Sequence, residues 1–455
     1  MPSLKQTLPS IPRTMKALYF FPHAFYPTKT GAHVRAVQTL SSLNRIGVET
    51  HVVTLSDRTY PWSTSGRNAV GKFLATSNSQ YAAPQKASVA TDTRRLSKPH
   101  PNLDLIEKPE IKRAPLGELF HGDNNHRGKF LPDYFGEIES PMRTWIQETV
   151  TRRKIDVIFM PYPVYSGLVP RGPEIRRVME LYDMWTINAA LQSSLENGFN
   201  RGQVPGKHSM IEDSAVLDLC YLPNLKVKAS PFETHIVSMF PSAIAISRHD
   251  EKMLQTLGIP NVERIPVMVS VPSRSSPCLG RASLALGPNL LNTQGLAHFC
   301  HRILPQIIPV LPDFSCDLFG TVPMVERINL GPHIVNRGFV PDFGEAMCEA
   351  GFFINPVFSG TGMQIKTVET MAYGLPPVCY AAIAEDAGVR HLETGWVAND
   401  EKEFAEGVIA LSKDESLRKR LGQAARDHVR NAMSESELDS TLGRFIAKVM
   451  ALPPD

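Results

Sequence analysis

Short apolar strands alternate with amphipathic helices along most of this 455-residue sequence, and the alternation breaks once and restarts. Together these two features predict an α/β protein of two doubly wound, Rossmann-like domains. The length supports the division, since 455 residues exceed one ordinary core. The break falls at 271–277, where two prolines and three serines in seven residues suit neither a helix nor a central strand.

Residues 1–14 carry prolines and polar residues without a hydrophobic signal core, and are expected to form a disordered lead. The N-terminal domain is expected over 15–270. Met15 to Phe21 predicts its first strand. Gly31 to Ile46 predicts a helix, because Val34, Val37, Leu40, Leu43 and Ile46 recur on one face and Gly47 supplies a stop. Glu49 to Leu55 is β-branched and alternating, which completes a βαβ unit with parallel pairing. Asp57 to Pro109 is rich in Ser, Thr, Ala, Asn and Pro and holds Arg58, Arg67, Lys72, Lys86, Arg94, Arg95 and Lys98. A mobile insertion is expected there, either a solvated loop or a basic flap for an acidic acceptor or an anionic membrane surface. Trp145 to Lys154 predicts a helix, and Asp156 to Met160, Arg177 to Tyr182 and Ala243 to Ile246 predict strands. A helix follows over Arg248 to Leu257, with Ser247 as its N-cap rather than a catalyst, and Val262 to Val269 is extended.

The C-terminal domain is expected over 278–432. Its strands are Ser283 to Leu286, Ser315 to Phe319, Ile334 to Val340, Phe352 to Val357 and Pro377 to Tyr380. Its helices are Thr293 to Ile308 (interrupted near Pro305), Phe343 to Ala350, Met363 to Tyr373 and two within Glu401 to Arg430. Residues 433–455 hold a last helix near Glu435 to Met450, long enough to pack back on the N-terminal domain.

Bulk chemistry narrows the function classes. The 48 basic and 45 acidic residues leave a net charge of +3, which gives no global case for a nucleic-acid partner. The six cysteines form no Cys-x-x-Cys pair and several lie in apolar runs, which points to a reducing compartment without zinc. No apolar run is long enough to span a bilayer. A cytoplasmic location is expected, with peripheral contact at the inner face of a membrane left open. P-loop, Gly-x-Ser-x-Gly, His-Glu-x-x-His and Gly-x-Gly-x-x-Gly signatures are absent, against kinase-like ATPase, serine hydrolase, zinc protease and dinucleotide oxidoreductase chemistry.

The segment that carries chemistry runs from Asn355 to Val378. A strand ends in a small loop, Gly360-Thr361-Gly362-Met363-Gln364, and a helix starts directly after it. Glycines let backbone N–H groups approach a ligand, and a helix N-terminus adds unpaired donors, so the loop suits a diphosphate. Lys366 adds a full positive charge one turn in. Glu369 can accept hydrogen bonds from ribose hydroxyls.

From Glu369 onward the run reads Ala-x-Gly-x-Pro-x-Val at Ala372, Gly374, Pro376 and Val378. With the glycine loop before it, this resembles the donor-binding signature of retaining glycosyltransferases of the GT-B fold, in family four (glycosyl transferases group 1). The segments 286–299, 337–340 and 20–36 extend the resemblance over most of 15–430, leaving the insertion uncovered. It implies two Rossmann-like domains facing a cleft. It also implies transfer of a hexosyl group from a nucleotide-sugar donor, such as a UDP- or GDP-sugar, with retention. The acceptor would be a glycan, a lipid-linked or a small-molecule hydroxyl, in glycan, polysaccharide or glycoconjugate biosynthesis, with no cofactor and no metal. Gly31 would join the diphosphate cradle, and Arg337, Gly338, Phe339 and Val340 would cup the nucleobase with backbone groups.

The sequence departs from the family pattern at several points. Thr361 holds the place of the first of two glutamates eight positions apart, and Pro288 and Gln294 replace an Arg and a Lys on the diphosphate. A Gly-Gly pair becomes Thr30-Gly31, and a histidine is missing from 159–162. A sugar-nucleotide 2-epimerase on the same fold and a non-catalytic nucleotide-sugar-binding protein therefore stay open. In the N-terminal domain, His33 and Arg35 either face the cleft or form a surface turn. Asp183, at a strand's carboxyl end, either orients an acceptor hydroxyl or caps a helix. His33 and Asp183 are the candidate catalytic residues. Tyr182 and Trp185 are either a sugar-stacking surface or ordinary aromatic packing.

Overall fold

The computed structural model describes residues 15–22, 25–26, 31–56, 103–107, 146–163, 165, 175–200, 210–211, 228–279, 281–360 and 362–453. The chain falls into two compact units, one drawn from 1–184, 230–268 and 435–455, the other from 185–229 and 269–434.

The first unit opens with β1 (Lys16–Phe21), α1 (Gly31–Arg45) and β2 (Glu49–Ser56). β1 and β2 pair in parallel, Lys16 opposite Glu49 through Phe21 opposite Thr54, as the βαβ pattern predicts. Next comes β3 (Leu103–Glu107), which pairs in parallel with β2. This strand falls inside the stretch 57–109 expected as a mobile insertion. Its last stretch supplies an edge strand, while 57–102 and 108–109, basic side chains included, lie outside the described residues. Helix α2 (146–153) leads to β4 (Val157–Pro161) and β5 (Arg176–Leu181), both almost wholly buried. The unit resumes after α3 (Trp185–Phe199) with α4 (Pro231–Ser238), β6 (Ser242–Ala245), α5 (Arg248–Thr256) and β7 (Asn261–Arg264). The seven strands form one sheet in the order β3-β2-β1-β4-β5-β6-β7. Ser247 caps α5, its hydroxyl accepting from the Asp250 N–H at 3.0 Å.

The second unit repeats the alternation with β8 (Ala282–Leu286), α6 (Leu290–His298), α7 (Leu304–Ile307) and β9 (Cys316–Gly320). A π-helical turn over Phe299–Ile303 joins α6 to α7, so the helix widens where one with an interruption was expected. Pro305 has no N–H for the turn before it, and a wider turn accommodates that loss. Then follow β10 (Ile334–Gly338), α8 (Phe343–Glu349), β11 (Phe352–Asn355), α9 (Ile365–Ala372), β12 (Pro377–Tyr380), α10 (Ala381–Ala387) and β13 (Trp396–Ala398). Helices α11 (Glu401–Lys413) and α12 (Glu415–Ala432) close the unit. Its six-stranded sheet runs β10-β9-β8-β11-β12-β13.

Three segments fall differently from expectation. Helix α3 groups with the second unit, because the Gln192 side chain bonds to Asn289 Oδ1 and to the Leu290 N–H at the start of α6. The Pro/Ser-rich stretch is not free chain. Ser276 donates to Ala350 O through its hydroxyl and to Tyr373 O through its N–H, while Arg426 donates to Pro272 O. The division between the units falls before it, at 268/269. The last helix, α13 (Glu435–Ala451), belongs to the first unit. It buries Leu438, Leu442, Phe445, Ile446 and Val449 on one stripe, and Asp439 accepts from Ser42 and Arg45 of α1. Among the described residues no helix is long and apolar enough to cross a membrane.

Inside the first unit, α1 meets β5 through a buried charge. Arg35 Nε lies 2.7 Å from Glu180 Oε1, with side chains 1% and 0% exposed. Thr39 donates to the same oxygen, Tyr19 donates to Oε2 at 2.8 Å, and Tyr182 donates to Oε2 at 3.1 Å. Burial, reinforced by the Glu180 charge, holds both phenols well above their usual pKa, so they stay protonated and able to donate. Three donors on one carboxylate, with the Tyr182 proton placed between Oε2 and the Tyr19 hydroxyl 2.7 Å away, meet the condition under which a buried charge is tolerated.

Glu180→Ala is expected to cost about 3–5 kcal/mol in urea unfolding, the range for leaving one buried charge without its partner. The described cysteines, Cys278, Cys300, Cys316, Cys348 and Cys379, are all free and buried, and burial pushes Cys300 and Cys379 up to about 12. Native protein should therefore take up at most one equivalent of iodoacetamide at pH 8, at Cys220, with the rest reacting only after denaturation.

Candidate functional site

The strand β11 is buried at every position and delivers the chain to the loop 356–364. Gly360 (φ 124°) and Gly362 (φ 81°) both occupy the left-handed region, so any side chain at either position would be strained. Thr361 between them lies outside the described residues. The loop ends on buried Met363 and on Gln364, the N-cap of α9, which makes no side-chain capping bond. By contrast, Asn289, Asp342, Asp400 and Asp414 cap α6, α8, α11 and α12 with their side chains. At this positive end of a helix no side chain caps the first turn, where the Ile365 N–H donates to Met363 O and the Thr367 N–H to Gln364 O at 3.0 Å each, backbone contacts that a bound anion can replace.

The loop is fixed by what lies beneath it. Asn355 donates to Thr367 Oγ1 at 2.8 Å and accepts from the Val357 N–H at 3.1 Å, tying the strand end to α9. A Cβ on Gly295 would stand 3.1 Å from the Val357 nitrogen, so α6 packs directly on the loop backbone. Ser359 donates to Gln294 Oε1 at 2.8 Å; the Gln294 amide nitrogen is buried without a hydrogen-bond partner. Sequence reasoning marked Gln294 only as an uncharged replacement and missed Asn355, Thr367 and Ser359 as supports. Nothing in their spacing announces a role that depends on α6 lying under the loop.

Lys366 and Glu369 face one another. Lys366 Nζ is 2.8 Å from Glu369 Oε2 and 4.2 Å from the centroid of the Phe343 ring on α8. The expected diphosphate cation and the expected ribose acceptor are therefore paired in this structure. The pair is open to solvent, with side chains 51% and 28% exposed, and such pairs are worth little and exchange partners cheaply.

The Arg337–Val340 segment lies at the end of β10, where the register with β9 shifts between Asn336 and Gly338. Gly338 has φ 66°, and its N–H donates to Asn336 Oδ1. Arg337 pairs with Asp317 at 2.9 Å, and Phe339 is 76% exposed. Arg337 and Val340 line a pocket of about 640 Å³ between α8 and the sheet, with Asp317, Phe319, Asp342 and Glu345. The glycines at 360 and 362 do not line it. Both expected parts of the donor site sit in the second unit, and the Lys366–Phe343 contact joins α9 to α8 beside that pocket.

In the first unit, Gly31 begins α1 and is half-buried. His33 is only 1% exposed and sits edge-on to Phe21 with centroids 6.0 Å apart, so it is not a surface turn. Arg35 is likewise corrected: it belongs to the Glu180 cluster. Tyr182 is buried in that cluster, and the Trp185 side chain lies outside what is described. Asp183 is half-buried just past the end of β5. Among the described residues no group of three or more His, Cys, Asp or Glu is placed to hold a metal ion.

Residues 282–414 match the family model of glycosyl transferases group 1. A curated relative, an uncharacterised 44.6 kDa protein in the cps region of Klebsiella pneumoniae, is 26% identical over 161 residues. The aligned stretch covers 33% of this chain and 42% of that protein's length. Among solved structures, sucrose-phosphate synthase from Thermosynechococcus elongatus is similar with a TM-score of 0.60 at 13% identity, over 96% of this chain and 99% of that one. Anabaena HepE, in complex with UDP and glucose, gives 0.57 at 11% identity over 95% and 100%. A glycosyltransferase from Rickettsia africae gives 0.55 at 10% over 96% and 99%. At these identities the likeness is one of fold. Residues 282–414 of the second unit are thus similar to group 1 glycosyltransferases, and the two parallel sheets have the GT-B fold of these solved structures.

Proposed function

We propose that this protein transfers a hexosyl group from a nucleoside diphosphate sugar to an acceptor hydroxyl with retention of anomeric configuration, in the assembly of a glycan or glycoconjugate. The observation that carries this reading is the turn from β11 through Gly360 and Gly362 into the N-terminus of α9, inside the stretch that matches the family model. Breaking the sugar–phosphate bond leaves charge on the diphosphate. Backbone donors at a helix N-terminus stabilise that charge without reorganising. Lys366 needs only to swing from Glu369 to a phosphate oxygen, which frees the Glu369 carboxylate for the ribose hydroxyls. The Anabaena HepE structures hold UDP, UDP with glucose, and UDP-glucose, which supports a nucleotide-sugar donor on this fold.

Thermal unfolding against UDP, GDP, ADP, dTDP, CMP and their sugar nucleotides is the direct test. A ligand at a hundredfold its dissociation constant should add about 2.7 kcal/mol of stability, and a selective shift names the nucleotide. No shift with any of them would overturn the donor site. Product analysis then separates a new glycoside from an epimerised sugar nucleotide or from binding without turnover.

Lys366→Ala should weaken binding of the preferred nucleoside diphosphate by about 1.5–3 kcal/mol, the scale of a charge-assisted hydrogen bond. Unchanged affinity in titration calorimetry would remove that role. Glu369→Ala should weaken nucleoside diphosphate but spare inorganic pyrophosphate; an equal loss for both would show that the carboxylate does not serve the ribose.

A further inference from the structure

We propose that Tyr162, at the carboxyl end of β4 in the first unit, is a stacking platform for a pyranose ring of the acceptor, which makes the acceptor a carbohydrate. This deepens the transfer reading above and rests on it. The first observation is backbone. Tyr162 has φ 70°, a conformation that a bulky aromatic residue rarely adopts and that glycine adopts freely. The other non-glycine residues there include Lys154, which closes α2, and Met324, which opens a short 3-10 turn, both ordinary places for it. Tyr162 instead directly follows a central strand, flanked by Pro161 and Pro163, and proline further restricts the residue before it. Strain of this kind collects where a side chain is aimed for use.

The second observation is position. Ligands of open parallel sheets bind outside the carboxyl ends of the strands. Tyr162 lies at that edge beside β1 and β5, its neighbours in the sheet. It is half-buried, where Phe21 and Tyr182 at the adjoining strand ends are buried. Both hold it edge-on, Tyr182 with centroids 5.3 Å apart at 86° and Phe21 at 6.0 Å and 67°. Tyr182 is itself anchored, its hydroxyl 2.7 Å from that of Tyr19 and 3.1 Å from Glu180. The ring is therefore rigid, partly open and set on a braced base. A flat apolar face suits the C–H face of a pyranose.

The test uses the full chain as wild type, Tyr162→Phe, Tyr162→Ala and Tyr162→Gly. Saturation-transfer NMR with methyl gluco-, galacto- and mannopyranosides should show transfer to ring C–H protons of at least one glycoside in wild type and Tyr162→Phe. It should fall at least fivefold in the Ala and Gly variants, while the nucleotide-induced thermal shift is equal in all four proteins. Tyr162→Gly should also melt above Tyr162→Ala, the reverse of the order at an ordinary position. Undiminished transfer in Tyr162→Gly, or none to any pyranoside in a wild-type protein that binds nucleotide, overturns the platform. Ala melting above Gly overturns the strain. Loss of nucleotide response in wild type falls instead on the donor reading.

Discussion

Parallel pairing is the constraint on which the rest of this molecule depends. Every strand pair in both sheets is parallel. Such strands cannot be joined by tight hairpins, so each connection crosses the sheet, and all carboxyl ends open on the same edge. The unusual backbone gathers at that edge. Gly320, at the end of β9, would put a Cβ 2.1 Å from Leu286 O at the end of β8, so those strand ends touch backbone to backbone. Gly338, Gly360 and Gly362 take left-handed conformations at or just beyond other strand ends. Tyr162 does the same in the first sheet.

The two sheets secure their helices by different means. In the first, a carboxylate inside a strand is matched by an arginine, a threonine and two tyrosines, so the helix–sheet contact is specified by hydrogen-bond geometry as well as by apolar area. Replacing such clusters with apolar residues is often neutral for stability, so their value here lies in fixing α1 against β5 in one register. In the second, close approach does the fixing. A Cβ on Gly295 would crowd Pro356 and Val357, and one on Gly422 would stand 2.0 Å from Gly374 O. Small residues let α6 and α12 lie directly against the segments on either side of α9.

Much of this was legible in the sequence, for identifiable reasons. The β11–loop–α9 turn could be read because its glycines, its strand and its helix are contiguous, and local chemistry determines each. Lys366 and Glu369 were placed on the right helix, but their mutual pairing was not foreseen, although a three-residue spacing permits it. Arg35 was left between a cleft residue and a surface turn because its partner, Glu180, lies 145 positions away. β3 was missed because five residues at the end of a polar stretch carry little pattern of their own and gain their shape from β2. Helix α3 looked like part of the first domain because it follows β5 directly, whereas its partners lie about a hundred residues later at Asn289 and Leu290.

The interleaving of the units has a consequence for biosynthesis. Helix α13 packs on α1 and bonds Lys448 to Glu263 of β7, yet it is made only after the whole second unit. A ribosome extrudes the chain in order, and domains usually fold as they emerge. Here the first sheet must wait, with the flank of α1 that α13 will bury still bare, while the second sheet can close ahead of it. The nascent chain therefore carries an unfinished apolar surface for the time needed to translate some 170 residues. That surface is where a chaperone would be needed, and where a premature stop after the second unit would leave an aggregation-prone product.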